Sequence, residues 1–329
     1  MAIGETVYVN SVREQLLAGR ARLSDVLGGV QNERMLRLLE EVDNALHHIE
    51  HGEFGVCELC HGTVEEDRLH DNPLARVCLD CLTPKQQRAL EYDLELAAQI
   101  QKGLLPSELA FAGWDVAYHY QPAGVVSGDY CDVIRQNGHL YFILADVSGK
   151  GVAAAMLASN LRAVFRSLIP LGLTVEQFMV RANSLFRESA LPSQYATSVF
   201  GRTSPCGEME LVNVGHPPVL LAGDAGIRQF ESTCRPLGIF DDDTVCTSKA
   251  QMMPGDTLVL YSDGVSEAAN HRGEEYGVEA VAQLLTQERL RCPSELVEAV
   301  KRNITEFRNG AERGDDETLL ALRYMPAVA

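Results

Sequence analysis

The sequence predicts an α+β protein in which the last two thirds of the chain form a layered sandwich of sheets and helices. From Trp114 onward the pattern is dominated by short apolar and alternating segments, which are typical of strands. Helical patterns fall between them in pairs, which favours hairpin-rich sheets covered by helices over a βαβ array. The predicted strands are 114–120, 130–135, 140–146, 195–202, 208–215, 218–222, 245–251, 257–262 and 318–324, and the paired helices are 151–168 with 174–189 and 277–286 with 294–308.

Helices are predicted on both sides of a small cysteine-rich module. An amphipathic helix at 33–49 must pack its apolar face on a second helix of this chain or on a partner chain. A later helix begins with Thr83 as N-cap and Pro84 at its first position. This helix either forms a dimer interface or packs on the domain that follows it. The predicted segments are a helical region at 1–50, a zinc module at 51–83, a linker helix at 84–106 and a large domain at 107–329, with a homodimer through 33–49 or 84–105 as one possible assembly.

Four cysteines have the spacing of a structural zinc site. Two Cys-x-x-Cys pairs are separated by seventeen residues, 61–77. The alternative, four reduced cysteines in a core, is disfavoured because the intervening residues are strongly polar. Four thiolates close the coordination sphere, so the predicted zinc is structural and not catalytic. His61 and His70 are surface residues in this interpretation. The predicted ligands are Cys57, Cys60, Cys78 and Cys81.

Bulk composition excludes several classes of function. The formal net charge of −18 argues against a broad nucleic-acid surface, because phosphate backbones demand Lys and Arg. No apolar run approaches the length of a membrane span, and the N-terminus does not have the pattern of a secretory signal. The cysteine usage suits a reducing compartment, so a cytoplasmic location is expected.

Acidic residues stand at four predicted strand ends, each with glycine nearby. Asp146 follows the apolar run 140–145, Asp263 follows 257–262, Asp129 precedes the strand at 130, and Asp315 precedes the last strand. Asp146 taken alone is better explained as a helix cap than as a metal ligand. Taken together, the four positions favour a shared site for two divalent cations, because clustered carboxylates repel each other unless cations neutralise them.

Four motifs carry a specific resemblance. They are Asp146-Val-Ser-Gly-Lys-Gly, Asn213-Val-Gly-His-Pro-Pro, Ser262-Asp-Gly-Val-Ser-Glu-Ala and Asp315-Asp-Glu-Thr. Through them the chain resembles the metal-dependent protein phosphatases of the PPM superfamily, and most closely the SpoIIE/RsbU branch, over roughly residues 94–325. That resemblance implies two antiparallel sheets flanked by helices. Residues 97–106 resemble the helix that leads into the catalytic domain of that branch.

The resemblance implies a protein-serine/threonine phosphatase that uses two Mn²⁺ or Mg²⁺ ions. In such enzymes a hydroxide bridging the ions attacks phosphoserine or phosphothreonine directly. Asp146 is then expected to bridge both ions and the Val147 carbonyl to add to one. Asp263 and Asp315 complete the second ion's sphere, and Asp129 binds directly or through water. The implied substrate is a phosphorylated regulator such as an anti-sigma-factor antagonist.

Several positions depart from the wider superfamily or remain open. Ser148 stands where many members carry a histidine, and 117–128 contains no phosphate-binding arginine. Asp132 and Asp316 are either water-orienting acids or ordinary turn acids. Lys150 more readily shapes its turn than binds phosphate. His216 is expected to hold a turn by hydrogen bonds, and the acidic run 241–243 is expected to be a solvated loop.

The cysteine module carries a second resemblance. Gly52-Glu-Phe-Gly-Val-Cys and the residues that follow resemble the DksA/TraR-type zinc ribbon over about residues 33–82. Two hypotheses stand beside an active phosphatase. One is a catalytically inactive phosphatase domain used as a scaffold, and the other is a regulator whose ribbon docks on RNA polymerase. The N-terminal region is also a candidate for receiving an upstream regulator.

Overall fold

The computed structural model describes residues 9, 12–21, 33–65, 68–69, 72–107, 109–191, 193–239 and 245–326. His70 and the acidic run 241–243 therefore lie outside the described residues. Contacts divide the chain into two units, Met1–Asp93 and Leu94–Ala329. The division falls within one helix, Pro84–Leu104.

The first unit contains two helices that share a small core. Helix α1 covers 12–21, and α2 spans Glu33–His51. Val12 and Leu16 of α1 pack with Val42 and Leu46 of α2. The apolar face predicted at 33–49 is thus covered in part by a second helix of the same chain. The linker helix α3 spans Pro84–Leu104.

In the described part of the second unit, the strands form two antiparallel sheets. One has the order β1-β2-β11-β10-β7-β8, and the other has the order β3-β4-β5-β6-β9. The strands are β1 Ala110–Phe111, β2 Trp114–Gln121, β3 Asp129–Gln136, β4 His139–Val147, β5 Ala196–Thr203, β6 Glu208–Val214, β7 Val219–Gly223, β8 Gly226–Phe230, β9 Ser248–Gln251, β10 Thr257–Tyr261 and β11 Glu317–Tyr324.

Helices cover the outer face of each sheet. Helices α4 and α5 pack on the five-stranded sheet around Phe165, Phe178 and Phe200. Helices α7 and α8 pack on the six-stranded sheet around Val281 and Val300. A third core fills the space between the sheets. The helices are α4 Gly151–Leu168, α5 Val175–Ser189, the single turn α6 Asp263–Ser266, α7 Val278–Glu288 and α8 Pro293–Arg308. The predicted layered sandwich is confirmed.

The sequence pattern missed two strands. Strand β1 has only two residues, and β8 exposes most of its side chains, so neither shows an apolar period.

The segment Gly151–Leu171 is long and apolar enough to span a membrane by length and composition alone, which corrects the expectation that no segment approaches that length. The apolar side chains on one face of this segment, including Leu161 and Phe165, are buried in the protein core, while Val152 and Met156 are exposed. This burial is typical of a core helix.

Candidate active site

Asp129 and Asp146 face each other across two neighbouring strands. Asp129 begins β3 and Asp146 lies one residue before the end of β4, and the two are paired in the antiparallel register. Residues 142–145 are completely buried, so the strand is fixed by the core, while Asp146 itself is partly exposed. The pairing of β3 with β4 therefore brings two predicted metal ligands together at one end of these strands.

The backbone beside these aspartates is packed too closely for a side chain at residue 128. A Cβ added to Gly128 would lie 2.8 Å from the Val147 carbonyl oxygen and 3.7 Å from Oδ1 of Asp146. The Val147 N–H donates to the Gly128 carbonyl at 3.2 Å. Glycine is thus required sterically, and the Val147 peptide is held directly against the start of β3.

Asp263 and Asp315 approach from the six-stranded sheet. Asp263 opens the one-turn helix α6 directly after β10, and Asp315 precedes β11, which pairs with β10. The loops touch so closely that a Cβ on Gly264 would lie 2.1 Å from the Asp316 carbonyl oxygen. Lys150, from the turn after β4, forms an ion pair with Asp315 at 3.4 Å. Its ammonium group also donates to the Gly314 carbonyl, so it joins the turns that follow Asp146 and precede Asp315.

The electrostatics show that these carboxylates share one environment. Burial, followed by the charges of Asp263 and Asp315, raises the pKa of Asp146 to about 8. Burial and then the charge of Asp315 raise the pKa of Asp263. Burial and then the charge of Asp146 raise the pKa of Asp129 well above its ordinary value. Glu267, at the end of α6, adds to the field on Asp146. The sequence reasoning did not single out Glu267, although it lies in the Ser262–Ala268 motif.

Among the described residues, the four cysteines are the only group of three or more possible ligands whose donor atoms all lie within 4.8 Å of one another. The acids do not meet this criterion. Their proximity is shown instead by the pairing of Asp129 with Asp146 and by the effects of Asp263 and Asp315 on the pKa of Asp146.

The donor set fits divalent cations by a direct observation. Oδ1 of Asp129 is buried and has no hydrogen-bond partner, while Oδ2 accepts from the Thr318 hydroxyl. An unpaired buried carboxylate oxygen is unfavourable unless a proton or a cation compensates it. Carboxylate oxygens and a backbone carbonyl are the ligands that Mg²⁺ and Mn²⁺ prefer.

Asp316 has a structural position beside the site. Its carboxylate accepts from the Ala123 N–H at 2.7 Å and from the Gly128 N–H at 2.8 Å. Both acceptor oxygens thus hold the loop that leads into β3. The sequence left Asp316 open between a water-orienting acid and a turn acid, and the structure shows a buried acceptor for a loop that is distant in sequence.

Asp132 lies away from the site. It is completely buried and accepts two hydrogen bonds from Arg166 of α4, at 2.7 and 3.0 Å. The Tyr130 hydroxyl donates to it at 2.9 Å. Neither sequence interpretation of Asp132 is correct, because Asp132 forms an ion pair between a strand and the helix above it.

His216 and Ser148 are held by hydrogen bonds within the protein. The His216 N–H donates to Asn213, and its ring pairs with the Thr197 hydroxyl at 2.7 Å. Burial lowers the pKa of His216 to about 3, so the ring is neutral at physiological pH. Ser148 exchanges two hydrogen bonds with the Tyr195 backbone. The expectation that His216 holds its turn agrees with these contacts.

The four cysteines form a second, separate centre. Their sulfur atoms lie within 4.8 Å of one another, Cys57 and Cys78 buried and Cys60 exposed. Backbone N–H groups point at the sulfurs, including the Cys78 N–H at 3.3 Å from Cys57 Sγ. Hydrogen bonds from the backbone at Cys60 and Cys78 lower the pKa of Cys57 to about 6. Four convergent sulfurs suit one tetrahedral zinc ion, and the Cys57 sulfur is the one whose backbone contacts favour the thiolate. His61 is exposed and outside this group.

Two family models match the chain. The model described as Stage II sporulation protein E (SpoIIE) matches residues 136–325. The model described as the prokaryotic dksA/traR C4-type zinc finger matches residues 52–87, which include the four cysteines.

Curated proteins that are similar to the chain include the following three. It is 26% identical over 261 residues to Protein IcfG of Synechocystis sp., covering 70% of this chain and 41% of that protein. It is 29% identical over 182 residues to phosphoserine phosphatase RsbP of Bacillus subtilis, covering 53% of this chain and 45% of RsbP. It is 26% identical over 246 residues to phosphoserine phosphatase RsbU of Bacillus subtilis, covering 72% and 71%. The chain thus spans less than half the length of IcfG and of RsbP.

Solved structures share the fold of the second unit. The SiaA-PP2C domain of Pseudomonas aeruginosa aligns with a TM-score of 0.66 at 19% identity, covering 73% of this chain and 98% of that domain. The catalytic domain of the serine threonine protein phosphatase PstP, solved with two manganese ions, aligns with a TM-score of 0.50 at 15% identity, covering 64% and 98%. Because the SpoIIE model matches more than half of the residues, this protein belongs to the SpoIIE family.

Proposed function

We propose that this protein is a metal-dependent protein-serine/threonine phosphatase. The observation that carries the proposal is the pairing of Asp129 with Asp146 at one sheet edge, in the electrostatic field of Asp263 and Asp315 from the other sheet. The names of RsbP and RsbU, both phosphoserine phosphatases, support the same reaction. The proposed substrate is phosphoserine or phosphothreonine on a small regulatory protein of the anti-sigma-factor-antagonist kind.

The chain supplies ligands from two sheets. Asp146, which interacts with acids on both sides, is the proposed shared ligand, and the adjacent Val147 carbonyl adds an oxygen donor. Asp129 would hold one ion, and Asp263 and Asp315 would hold the other. Bound divalent ions would neutralise these acids, polarise a phosphoryl group and lower the pKa of a coordinated water toward about 7. The hard oxygen donors favour Mn²⁺ or Mg²⁺.

Other residues keep this arrangement in place. Asp316 holds the loop 123–128, and Thr318 holds the Asp129 carboxylate. Lys150 holds the turn after β4 against Gly314 and Asp315. Since Ser148 is bonded to the Tyr195 backbone and His216 is buried and neutral, neither is assigned a proton-transfer role.

The test is manganese-dependent release of inorganic phosphate from phosphoserine-containing proteins and peptides by the full chain. We expect release with Mn²⁺, none with excess chelator, and none with Asp146→Ala. Asp115→Ala, an exposed acid on β2, is the matched control and should retain wild-type activity. A folded wild type that binds Mn²⁺ yet releases no phosphate from any phosphoprotein tested would favour the inactive scaffold.

A second copy of the chain is the proposed partner of the linker helix. Tyr92, Leu96 and Ile100 recur every fourth residue of α3 and are 67%, 45% and 58% exposed. Apolar residues at this spacing form one stripe on a helix, as in helix–helix interfaces. A Leu96→Lys variant should shift the chain from dimer to monomer in light scattering.

We further propose a cytoplasmic location, which suits four thiolates holding zinc. We also propose an upstream regulator that acts through the N-terminal unit.

A further inference from the structure

Gln101 occupies an unusual position in the linker helix. It is 8% exposed and is the only buried residue of α3, a helix that the structure describes along its whole length. A long amide side chain seldom becomes buried unless its donor and acceptor are both satisfied. The surroundings of this side chain therefore explain why it is there.

The Gln101 amide forms two hydrogen bonds to one residue near the site. Its Nε2 donates to the Ser127 carbonyl at 2.7 Å, and its Oε1 accepts from the Ser127 N–H at 2.9 Å. Among side chains of this length, only an amide has a donor and an acceptor side by side. Gln101 thus fixes both polar groups of the Ser127 backbone, much as a neighbouring strand would.

Ser127 passes this constraint directly to Asp129. The Ser127 hydroxyl accepts from the Asp129 N–H at 2.9 Å. The peptide between them is held by Asp316 through the Gly128 N–H. Gln101, Asp129 and Tyr120 also line the same small cavity below α3. The end of α3 and the start of β3 are therefore connected by an unbroken series of hydrogen bonds.

A second contact holds the same helix end. Arg162 of α4 donates to the Leu104 carbonyl at 2.9 Å. Helix α4 begins at Gly151, directly after the turn that follows Asp146. The last turn of α3 is thus tied to the start of β3, which carries Asp129, and to α4, which follows the turn after Asp146.

We propose that Gln101 is a positioning residue that sets the divalent-ion affinity of the site by fixing Ser127 and, through it, Asp129. This inference rests on the proposed function, because it assigns Asp129 to an ion. Gln101 touches neither ion nor substrate in this account. Its loss should weaken Mn²⁺ binding about tenfold, as residues that orient metal ligands do, and leave the rate at saturating Mn²⁺ near that of the wild type.

The test compares Gln101→Leu and Gln101→Glu with Gln99→Leu in the full chain. Gln99 is exposed on the same helix, which makes it the matched control. Mn²⁺ binding is measured directly from the paramagnetic resonance signal of free Mn²⁺. Amide hydrogen exchange over residues 122–130 is followed without metal, and phosphate release is titrated with Mn²⁺.

Both Gln101 variants should bind Mn²⁺ about tenfold more weakly and exchange the Ser127 amide faster, whereas Gln99→Leu should match the wild type. If Gln101→Leu does not fold, Gln101→Glu decides, because it keeps one acceptor oxygen and replaces the amide donor with a second, negatively charged oxygen that faces the Ser127 carbonyl. A folded Gln101 variant that loses thermal stability but binds Mn²⁺ with wild-type affinity overturns the inference. A wild type that binds no Mn²⁺ overturns the proposed function itself, so the two failures are distinguishable.

Discussion

Asp129 and Asp146 are direct cross-strand partners, each carrying a carboxylate to the same edge of the five-stranded sheet. Like charges placed opposite each other destabilise an antiparallel pair. The arrangement is therefore unfavourable for the isolated fold and favourable once cations lie between the carboxylates. From this relationship we expect metal binding to stabilise the protein, since a ligand that binds only the folded state raises its stability.

Replacing Asp146 should abolish hydrolysis. Asp146→Asn removes the proposed shared ligand while keeping the size and shape of the side chain. Losing a residue that only orients a metal ligand costs up to about 100-fold in activity, so phosphate release should fall by more than that. Added Mn²⁺ should raise the melting temperature of the wild type and not that of the variant. Equal stabilisation of both proteins by Mn²⁺ would contradict the assignment.

Substitutions of the adjacent residues Asp315 and Asp316 should have different effects, the first on Mn²⁺ binding and the second on the stability of the fold. Asp315 is 47% exposed, and Asp315→Ala should weaken Mn²⁺ binding with little effect on unfolding. Asp316→Ala leaves the Ala123 and Gly128 N–H groups without their acceptors, which costs about 1–3 kcal/mol for the buried Gly128 N–H and less for the N–H of the exposed Ala123. Denaturant unfolding of the metal-free variants measures the difference. A stable Asp316→Ala protein would show that the loop is held by other contacts.

The buried ion pair between Asp132 and Arg166 should be costly to break from one side. Arg166→Leu leaves the completely buried Asp132 charge without its partner, an effect on the order of 3 kcal/mol. The double variant Asp132→Asn/Arg166→Leu should recover much of that loss, because the buried charge is gone. Unfolding free energies of the two variants test this, and a double variant as unstable as Arg166→Leu would refute it.

His216 should make the fold less stable in acid. Its pKa is lowered in the folded protein to about 3 from an ordinary value of 6.5. Between these values the unfolded chain binds a proton that the folded chain does not, so stability falls as pH falls from about 6.5 toward about 3. One such proton gives a slope of about 1.4 kcal/mol per pH unit. Unfolding of His216→Asn over this range should show a slope smaller by that amount, and an unchanged slope would mean that the ring does charge in the folded state.

Zinc removal should unfold the cysteine module. Cys57→Ser should lower bound zinc from one ion per chain to near zero and expose residues 54–65 and 72–82 to proteolysis, because metal binding supplies the folding energy of so small a core. Cys206→Ser, an exposed cysteine in the β5–β6 turn, is the control and should keep its zinc. Full zinc content in Cys57→Ser would remove this residue from the site.

The sequence predicted the strands and the cysteine cluster well because both have local signals. Apolar runs such as 140–145 and the spacing of Cys57 and Cys60 are readable within a few residues. The partners of polar groups are not local. Asp132 lies three residues from Asp129 in sequence but pairs with Arg166, which no pattern around Asp132 indicates. Likewise Gln101 contacts Ser127, twenty-six residues further on, and only the packing of α3 reveals it.

The most direct measurement is anomalous diffraction from crystals of the full chain soaked with Mn²⁺. We expect two manganese peaks on either side of Asp146, one near Asp129 and the other near Asp263 and Asp315. Crystals that diffract well and show no manganese beside Asp146, with the Asp263 and Asp315 carboxylates turned away from it, would contradict the account.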